Sequence, residues 1–388
     1  MKFTLKQYLL LFSVILILSA LYLSNKSNVA SCIKNGSNIN FLIAGTDWVD
    51  YAQHADTIIF ASYNPKKRFL DVISVPRDTK IYLPDLHLNR INEVYAYFYR
   101  KEKKHKSAIE GTSKVLSNIL HNRVQIPFYF QVDYTSFKKL IDSIGGVKIE
   151  IEEPMQYKDH AGKLNIDFKP GIYILDGEKA LEYVRFRGQA GDIGRIYRQQ
   201  RFLKAMLNKL KNPIVLVVRM PKLLKFIFYE LNTNFTFWDK INLLFELKNL
   251  NLDNIRLAQL PGKPYQNYWL PDEEEIDRVL NLIYGPEINF QLSSITVEVC
   301  NASSHSGAAR ILTRKLRDFG FDVIDWKNYP TKQAKTIVVD RVGNLKAAQS
   351  IAKIINTEEI FTRYDSKRFV DISVIIGEDY KDTEKIYP

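Results

Sequence analysis

Three apolar runs, Ile39 to Ala44, Ile58 to Tyr63 and Phe69 to Val75, follow one another with only short polar connections. Runs of this length, bounded by Gly45-Thr46-Asp47 and by Asn64-Pro65-Lys66-Lys67, read as buried strands. With the helical patterns that follow, they predict an α/β fold: a central mixed sheet flanked by helices. Open α/β sheets place their ligands at strand ends and in the loops beyond them. Here those ends present Asp47, Asp56 and Arg77, so the feature that limits the fold also points to a site.

A second concentration of charge lies further along. Arg185, Arg187, Arg195 and Arg198 stand with Gln199 and Gln200 around a turn carrying Gly188, Gly191 and Gly194. An exposed helix would alternate its charges in sign, whereas here arginine dominates apart from Asp192. A guanidinium fork matches two phosphate oxygens at once, so the cluster reads as a phosphate or pyrophosphate clamp rather than as a solvated basic face. Gly177 to Val184 is predicted helical and delivers Arg185 and Arg187, while Asp192 is placed to cap a long helix through about Asn212. On that helix Arg195 and Gln199 share one face, and its N-terminus adds partial positive charge.

The net charge of +12 favours polyanionic partners. Nucleic acid is argued against by the N-terminus, where Tyr8 to Leu23 is almost wholly apolar after Lys2 and Lys6. That pattern predicts a single-pass membrane anchor over 1–23 with its N-terminus cytoplasmic and the rest of the chain extracytoplasmic. A cleaved signal peptide is the alternative, but no small-residue cleavage site directly follows the run. Residues 24–37 are polar and read as a linker. Cys32 and Cys300 are too far apart in the chain to suggest a disulfide framework or a thiolate metal site.

The length of 388 residues predicts two folded units, 38–286 and 294–388, with a boundary at Tyr284-Gly285-Pro286-Glu287. Within the first, helices are expected near His87 to Tyr99, over Ser107 to Leu120, Ser136 to Ile144, Asp239 to Leu250 and Asp272 to Ile283, and strands over Gln125 to Val132, Lys148 to Ile151 and Ile255 to Leu260. Pro154 to Pro170 reads as polar and irregular. Pro213 to Phe228 is apolar, yet Arg219, Lys222 and Lys225 make it too basic for a second span, so it is expected to be a helix bordering a groove for an apolar ligand. The second unit is expected to be a small α/β domain: strands Thr296 to Val299, Val323 to Trp326, Thr336 to Val339 and Val370 to Ile376, and helices Gly307 to Phe319 and Leu345 to Ile355. His305 among serines there reads as a helix N-terminus rather than a catalytic pair.

Taken in order, Gly45-Thr46-Asp47, Ala55-Asp56-Thr57, Ser74 to Thr79, Arg90-Ile91-Asn92, Asp142 to Val147, Gly177 to Leu181, Val184 to Arg187 and Gly191 to Gln200 resemble the LytR-CpsA-Psr family. The resemblance is dense from about Asn38 to Asn212. From Thr296 the chain resembles the LytR-type C-terminal domain, through Val297 to Ala302 and Gly307-Ala308-Ala309. The resemblance implies a membrane-anchored phosphotransferase that moves a glycan from a polyprenyl-pyrophosphate carrier to a cell-wall acceptor, generally peptidoglycan. It implies Asp47 and Asp56 as magnesium ligands, hard oxygens of the kind that cation prefers. It implies Arg77, Arg185, Arg187, Arg195 and Gln199 as the pyrophosphate-binding catalytic residues, with His54, Asp78 and Arg198 as further candidates.

Two positions depart from the family's pattern. His54 stands where arginine is common, and Phe98-Tyr99-Arg100-Lys101 replaces a frequent glycine pair. Two other functions remain open: a hydrolase that uses water on polyprenyl pyrophosphate, and a non-catalytic scaffold that binds wall polymer. Against the scaffold stand the two acids, which repel an anion unless a cation bridges them.

Overall fold

The computed structural model describes Tyr22 and residues 24–49, 52–83, 86–159, 164–186, 191–248, 250–285, 294–365 and 368–381. Its backbone is one sheet of eleven strands. β1 (Ile39–Val49), β2 (Ala52–Asn64) and β3 (Phe69–Val75) form an antiparallel ladder, β4 (Phe128–Asp133) lies parallel to β1, and β5 (Asn232–Thr233) closes that edge. β6 (Ile255–Gln259) lies parallel to β3 on the other side. The C-terminal unit adds β7 (Thr296–Asn301), β8 (Asp322–Asn328), β9 (Ile337–Asp340), β10 (Ile360–Thr362) and β11 (Ile372–Ile376). The order across the sheet is β5-β4-β1-β2-β3-β6-β10-β9-β11-β7-β8.

Flanking the sheet are α1 (Asn28–Asn35), α2 (Ile91–Glu102), α3 (His105–Ile119), α4 (Tyr134–Ser143), α5 (Gly177–Arg185), α6 (Gly191–Leu210), α7 (Pro213–Lys225), α8 (Phe237–Lys248), α9 (Glu273–Tyr284), α10 (Ala308–Asp318) and α11 (Leu345–Ile355). The first three strands are continuously apolar because both of their faces are covered. Leu42, Ile58, Phe60 and Ile73 pack with α2, α3 and α9, while Phe41, Ala61, Tyr63 and Val72 pack on the opposite face. A separate core lies between α10, α11 and the C-terminal strands. A third, around Ile141, Ile149, Phe168, Tyr183 and Phe202, fixes α4, α5 and α6 to one another.

Several expectations are corrected. The segment read as a linker contains α1, which Ser27 caps by accepting from Ala30 N and Gly36 ends at φ 63°. Val29 of α1 is fully buried and donates its N–H to Asp239 of α8, so folding begins before Asn38. Gly45-Thr46-Asp47 does not turn the chain out of the sheet but continues β1 to Val49. Pro154 to Pro170 holds a hairpin, Met155–Asp159 against Leu164–Phe168. Its polar residues alternate with buried Ile166 and Phe168, which makes the segment look irregular when read without that period.

The two folded units share the sheet rather than forming two separate ones, joined where Ala258 of β6 pairs with Thr362 of β10, a strand too short to stand out in the sequence. At that junction Arg256 meets Asp71 at 3.3 Å and donates to the Tyr364 hydroxyl at 3.2 Å, with Arg256 and Asp71 both buried. The expected anchor falls on residues 1–21 and Leu23, outside the described residues. Among the described residues no helix is long and apolar enough to cross a membrane.

Candidate active site

The site starts from an irregularity in the β1–β2 hairpin. Gly45 pairs with Thr57 but Thr46 pairs with Ala55, so Asp56 is the extra residue of a β-bulge. Alternation along β1 sends Ile43, Gly45 and Asp47 to one side of the sheet. Strict alternation along β2 would send Asp56 to the opposite side from Thr57 and Ile59; the bulge turns it back, and all six residues line one cavity. Gly45 makes this close crossing possible, because a Cβ there would lie 2.8 Å from Thr57 Cβ.

The cavity is about 410 Å³ and is walled by the sheet, α4, α5 and α6. β4 runs parallel to β1 and pairs Asp133 with Thr46, so α4 starts beside Asp47 and runs back under the sheet. Asp133 caps that helix by accepting from Ser136 N at 2.7 Å. Polar residues therefore gather where β4 ends: Asp47, Asp56, Tyr134, Arg185, Arg195 and Gln199. Toward the other end the walls are Ile43, Phe137, Leu181, Phe202, Leu203 and Met206. The shape suits an amphiphile with a charged head.

At the charged end Tyr134 joins two groups. Its hydroxyl donates to Asp47 Oδ2 at 2.7 Å, and the Arg185 guanidinium lies 4.6 Å from its ring centre. Asp47 Oδ1 is buried and accepts no hydrogen bond. Burial raises the Asp47 carboxyl above its usual range and the charge of Asp56 adds to this, while Tyr134, Arg185 and His54 pull it back. Burial and the charge of Asp47 likewise raise the Tyr134 phenol. On the far side Arg77 Nη1 meets Asp56 Oδ1 at 3.2 Å, Arg77 Nε meets Asp78 Oδ2 at 3.6 Å, and Arg90 Nη1 meets Asp78 Oδ1 at 3.2 Å. Asp56 thus ends a chain of alternating charge that fixes its position.

Of the residues expected at the site, Asp47, Asp56, Arg185, Arg195 and Gln199 share the cavity wall, and Arg77 lines an adjoining cleft with Asp56, Arg195 and Gln199. Asp78 turns to Arg77 and Arg90, where it orients Arg77. His54 pairs with Asp47 across the hairpin and acts on it electrostatically from outside the cavity lining. Arg198 is not among the lining residues: Nε and Nη2 donate to the Phe186 carbonyl at 3.1 and 2.6 Å and the guanidinium lies over the Phe186 ring, so it clamps the chain leaving α5. Arg187 lies outside the described residues. Asp192 falls within the first turn of α6, which begins at Gly191, and so is not its N-cap.

The lining also corrects the expected groove border. Among the described residues, none of Pro213 to Phe228 lines it; α7 packs behind, against α4 and α6. Tyr134 is a site residue that residue type and spacing do not single out; it sits one residue beyond β4 and opens α4, and its place at a strand end is the one signal that marks it. Gln200, also on the wall, is anchored by donation to the Ala258 carbonyl at 3.0 Å.

Asp47 and Asp56 fit a magnesium ion. A buried carboxylate oxygen without a hydrogen bond, beside a second carboxylate on the same cavity, is a donor set of hard oxygens. Magnesium usually takes one or two carboxylates and completes its shell with water and substrate phosphate. Among the described residues no group of three or more His, Cys, Asp or Glu side chains is placed to hold an ion.

A profile described as the LytR_cpsA_psr family matches residues 18–283, and one described as LytR cell envelope-related transcriptional attenuator matches 294–380. Among similar proteins, the polyisoprenyl-teichoic acid–peptidoglycan teichoic acid transferase TagU of Bacillus licheniformis is 28% identical over 56% of this chain and 67% of its own. The regulatory protein MsrR of Staphylococcus aureus is 30% identical over 52% of this chain and 58% of its own. TagV of Bacillus subtilis, named as the same kind of transferase, is 28% identical over 50% of this chain and 49% of its own. The chain thus spans about half to two thirds of the length of these relatives. In fold it is similar to the crystal structure of B. subtilis TagV, with a TM-score of 0.52 at 23% identity over 65% of this chain and 99% of the other. TagT bound to LIIa-WTA gives a TM-score of 0.51 at 21% identity over 67% and 91%.

Proposed function

Because the chain belongs to the LytR_cpsA_psr family, we propose that it is a phosphotransferase, moving a wall glycopolymer from a polyprenyl-pyrophosphate carrier onto peptidoglycan. The observation that carries this reading is the union, in one cavity, of Asp47 and Asp56 with the guanidinium groups of Arg185 and Arg195 and an apolar remainder. A pyrophosphate fits the first and an isoprenoid chain the second. Relatives named as transferases of teichoic acid to peptidoglycan support the reaction class, and the fold shared with a TagT that binds LIIa-WTA supports the ligand class.

Arg185, Arg195 and Gln199 would grip pyrophosphate oxygens, and Arg77 would reach them from the adjoining cleft. Asp47 and Asp56 would hold the magnesium ion, which when bound neutralises phosphate charge and makes phosphorus more electrophilic. The acceptor hydroxyl oxygen attacks the phosphorus that carries the glycan and gives up its proton to water. The bond from that phosphorus to the bridging oxygen breaks, and polyprenyl phosphate leaves with the negative charge. Fixed guanidinium groups at the leaving oxygen lower the barrier without reorganising during the step. The apolar wall provides affinity through the chain, at about 0.8 kcal/mol per methylene against water and less against a bilayer. We place the protein at the cell membrane, anchored by Tyr8 to Leu23 with the cavity outside.

The test supplies purified protein with a polyprenyl-pyrophosphate-linked glycan, peptidoglycan and magnesium. Release of polyprenyl phosphate matched by glycan covalently attached to peptidoglycan is expected. Release without attachment would mean hydrolysis, and retention of intact donor would mean binding alone.

A further inference from the structure

α7 turns three aliphatic side chains to solvent, Ile214, Val217 and Val218, at 72%, 77% and 66% exposure. Their spacing puts them on one face, which continues into exposed Lys222 and Lys225. The π-helical turn Phe226–Glu230 follows, with Tyr229 exposed, and α8 adjoins it through Phe228 against Phe237, ring centres 5.0 Å apart. α8 itself exposes Phe237 and Phe245. Single exposed apolar residues are ordinary, but a run of them across two adjoining helices marks a surface that something covers.

We propose that this face lies in the interfacial layer of a bilayer containing anionic lipid, with α7 in the membrane plane. Charge is the first argument: α7 exposes Lys222 and Lys225 and carries no acidic residue, the composition of a helix that sits among anionic headgroups. A second copy of the chain would bring like charges together there.

The path of the chain is the second argument. The apolar run Tyr8 to Leu23 ends one residue before Ser24, and Ser24 and Ser27 are held by Asn242 of α8. The chain therefore leaves its most lipid-like segment directly against this surface. The cavity is the third: Phe137 and Met206, at its apolar end, belong to α4 and α6, the helices on which α7 packs. Through this contact, the end of the cavity suited to an isoprenoid tail faces the side where lipid would be. The first two arguments hold whether or not the cavity transfers a glycan.

The test uses the full chain in vesicles, in a Cys32→Ser background because Cys32 is the partly exposed one of the two cysteines. Val217→Cys and, as control, Ile324→Cys in the C-terminal unit are each labelled with a polarity-sensitive fluorophore. In phosphatidylglycerol–phosphatidylethanolamine vesicles, the label at 217 should shift to the blue and be quenched by nitroxide lipid severalfold more than at 324. Lys222→Glu with Lys225→Glu, or pure phosphatidylcholine, should weaken both signals. A water-like label at 217 in every composition overturns the proposal, as does disulfide cross-linking of unlabelled Val217→Cys between copies. Hydrogen exchange of α7 in the unmodified chain tests the same placement without substitution: anionic vesicles slow it if the proposal holds and leave it unchanged if the proposal fails.

Discussion

The Tyr134 hydroxyl is 2.7 Å from Asp47 Oδ2, and the same ring lies under the Arg185 guanidinium at 4.6 Å. One side chain thereby positions an acid and a cation on the same cavity. Because Tyr134 occupies Oδ2, the orientation of Asp47 is fixed with Oδ1 buried and accepting no hydrogen bond, where the proposed magnesium ion would bind. Tyr134→Phe should lower the transfer rate about tenfold, the scale of one hydrogen bond to a charged group, and raise the magnesium concentration needed for half-maximal rate. Tyr134→Ala should lower it further, since Arg185 then loses its ring as well. Initial rates across a magnesium titration check both; equal rates for all three proteins would remove Tyr134 from the site.

Gly45→Ala should damage activity more than stability. The new Cβ would fall 2.8 Å from Thr57 Cβ, so the hairpin must shift where Asp56 bulges. Overpacking of this kind costs about 1–3 kcal/mol. Urea unfolding measures that cost, and turnover under native conditions measures displacement of the acids. An alanine variant with full turnover would show that the bulge does not place Asp56.

Asp56→Ala should abolish magnesium-dependent transfer while the fold persists, since Arg77 keeps its contact with Asp78. With one hard ligand lost, the ion would be held by Asp47, water and substrate, so excess magnesium should restore part of the rate. The decisive readout is turnover of the purified variant from micromolar to high millimolar magnesium.

Arg256→Met should destabilise the chain by about 3–5 kcal/mol, because Asp71 is left as a buried unpaired charge. Asp71→Leu combined with Arg256→Met should recover much of the loss. Thermal unfolding of the two single variants and the double variant separates this coupling from simple loss of packing.

The C-terminal unit should lose stability in acid through Glu298. Burial pushes its carboxyl up, but hydrogen bonds from Ser373, Lys327 and Arg368 outweigh burial and hold it at about 2, below the usual 4.5. A carboxyl depressed in the folded state stabilises fully above its unfolded value and loses that contribution as pH falls through its folded one. Glu298→Gln should therefore cost on the order of 2 kcal/mol at pH 7, allowing for the half-exposed partners, and the gap to the unsubstituted chain should close between pH 4.5 and 2. Denaturant unfolding at several pH values measures the gap.

What the sequence made legible and what it hid divide along a physical line. The long periodic segments, α5, α6, α10, α11 and the apolar strands, fall where their own residues indicate, because burial on one face leaves a repeating mark. Gly45 misleads because a lone glycine reads as a strand terminator, while its role depends on which residue of β2 lies opposite. Serine and asparagine around α1 look like a tether, and only Asp239 and Asn242, far along the chain, make them a docked helix. Asp47, Asp56 and the arginines are visible by residue type. Tyr134 is not, since its importance is one hydrogen bond to a strand 87 residues away, and Arg198 has the right chemistry but turns two of its donors to a backbone carbonyl.

The single rung between Ala258 and Thr362 bears on any attempt to shorten the protein. Cutting after Tyr284 would remove β10, Tyr364 and the cover they give β6. The remaining piece would present a raw strand edge, its peptide groups open to another copy, with Arg256 newly wetted beside it. Filaments or precipitates from such a fragment would report on the cut rather than on the native protein, and charged or proline substitutions along β6 would be the first remedy.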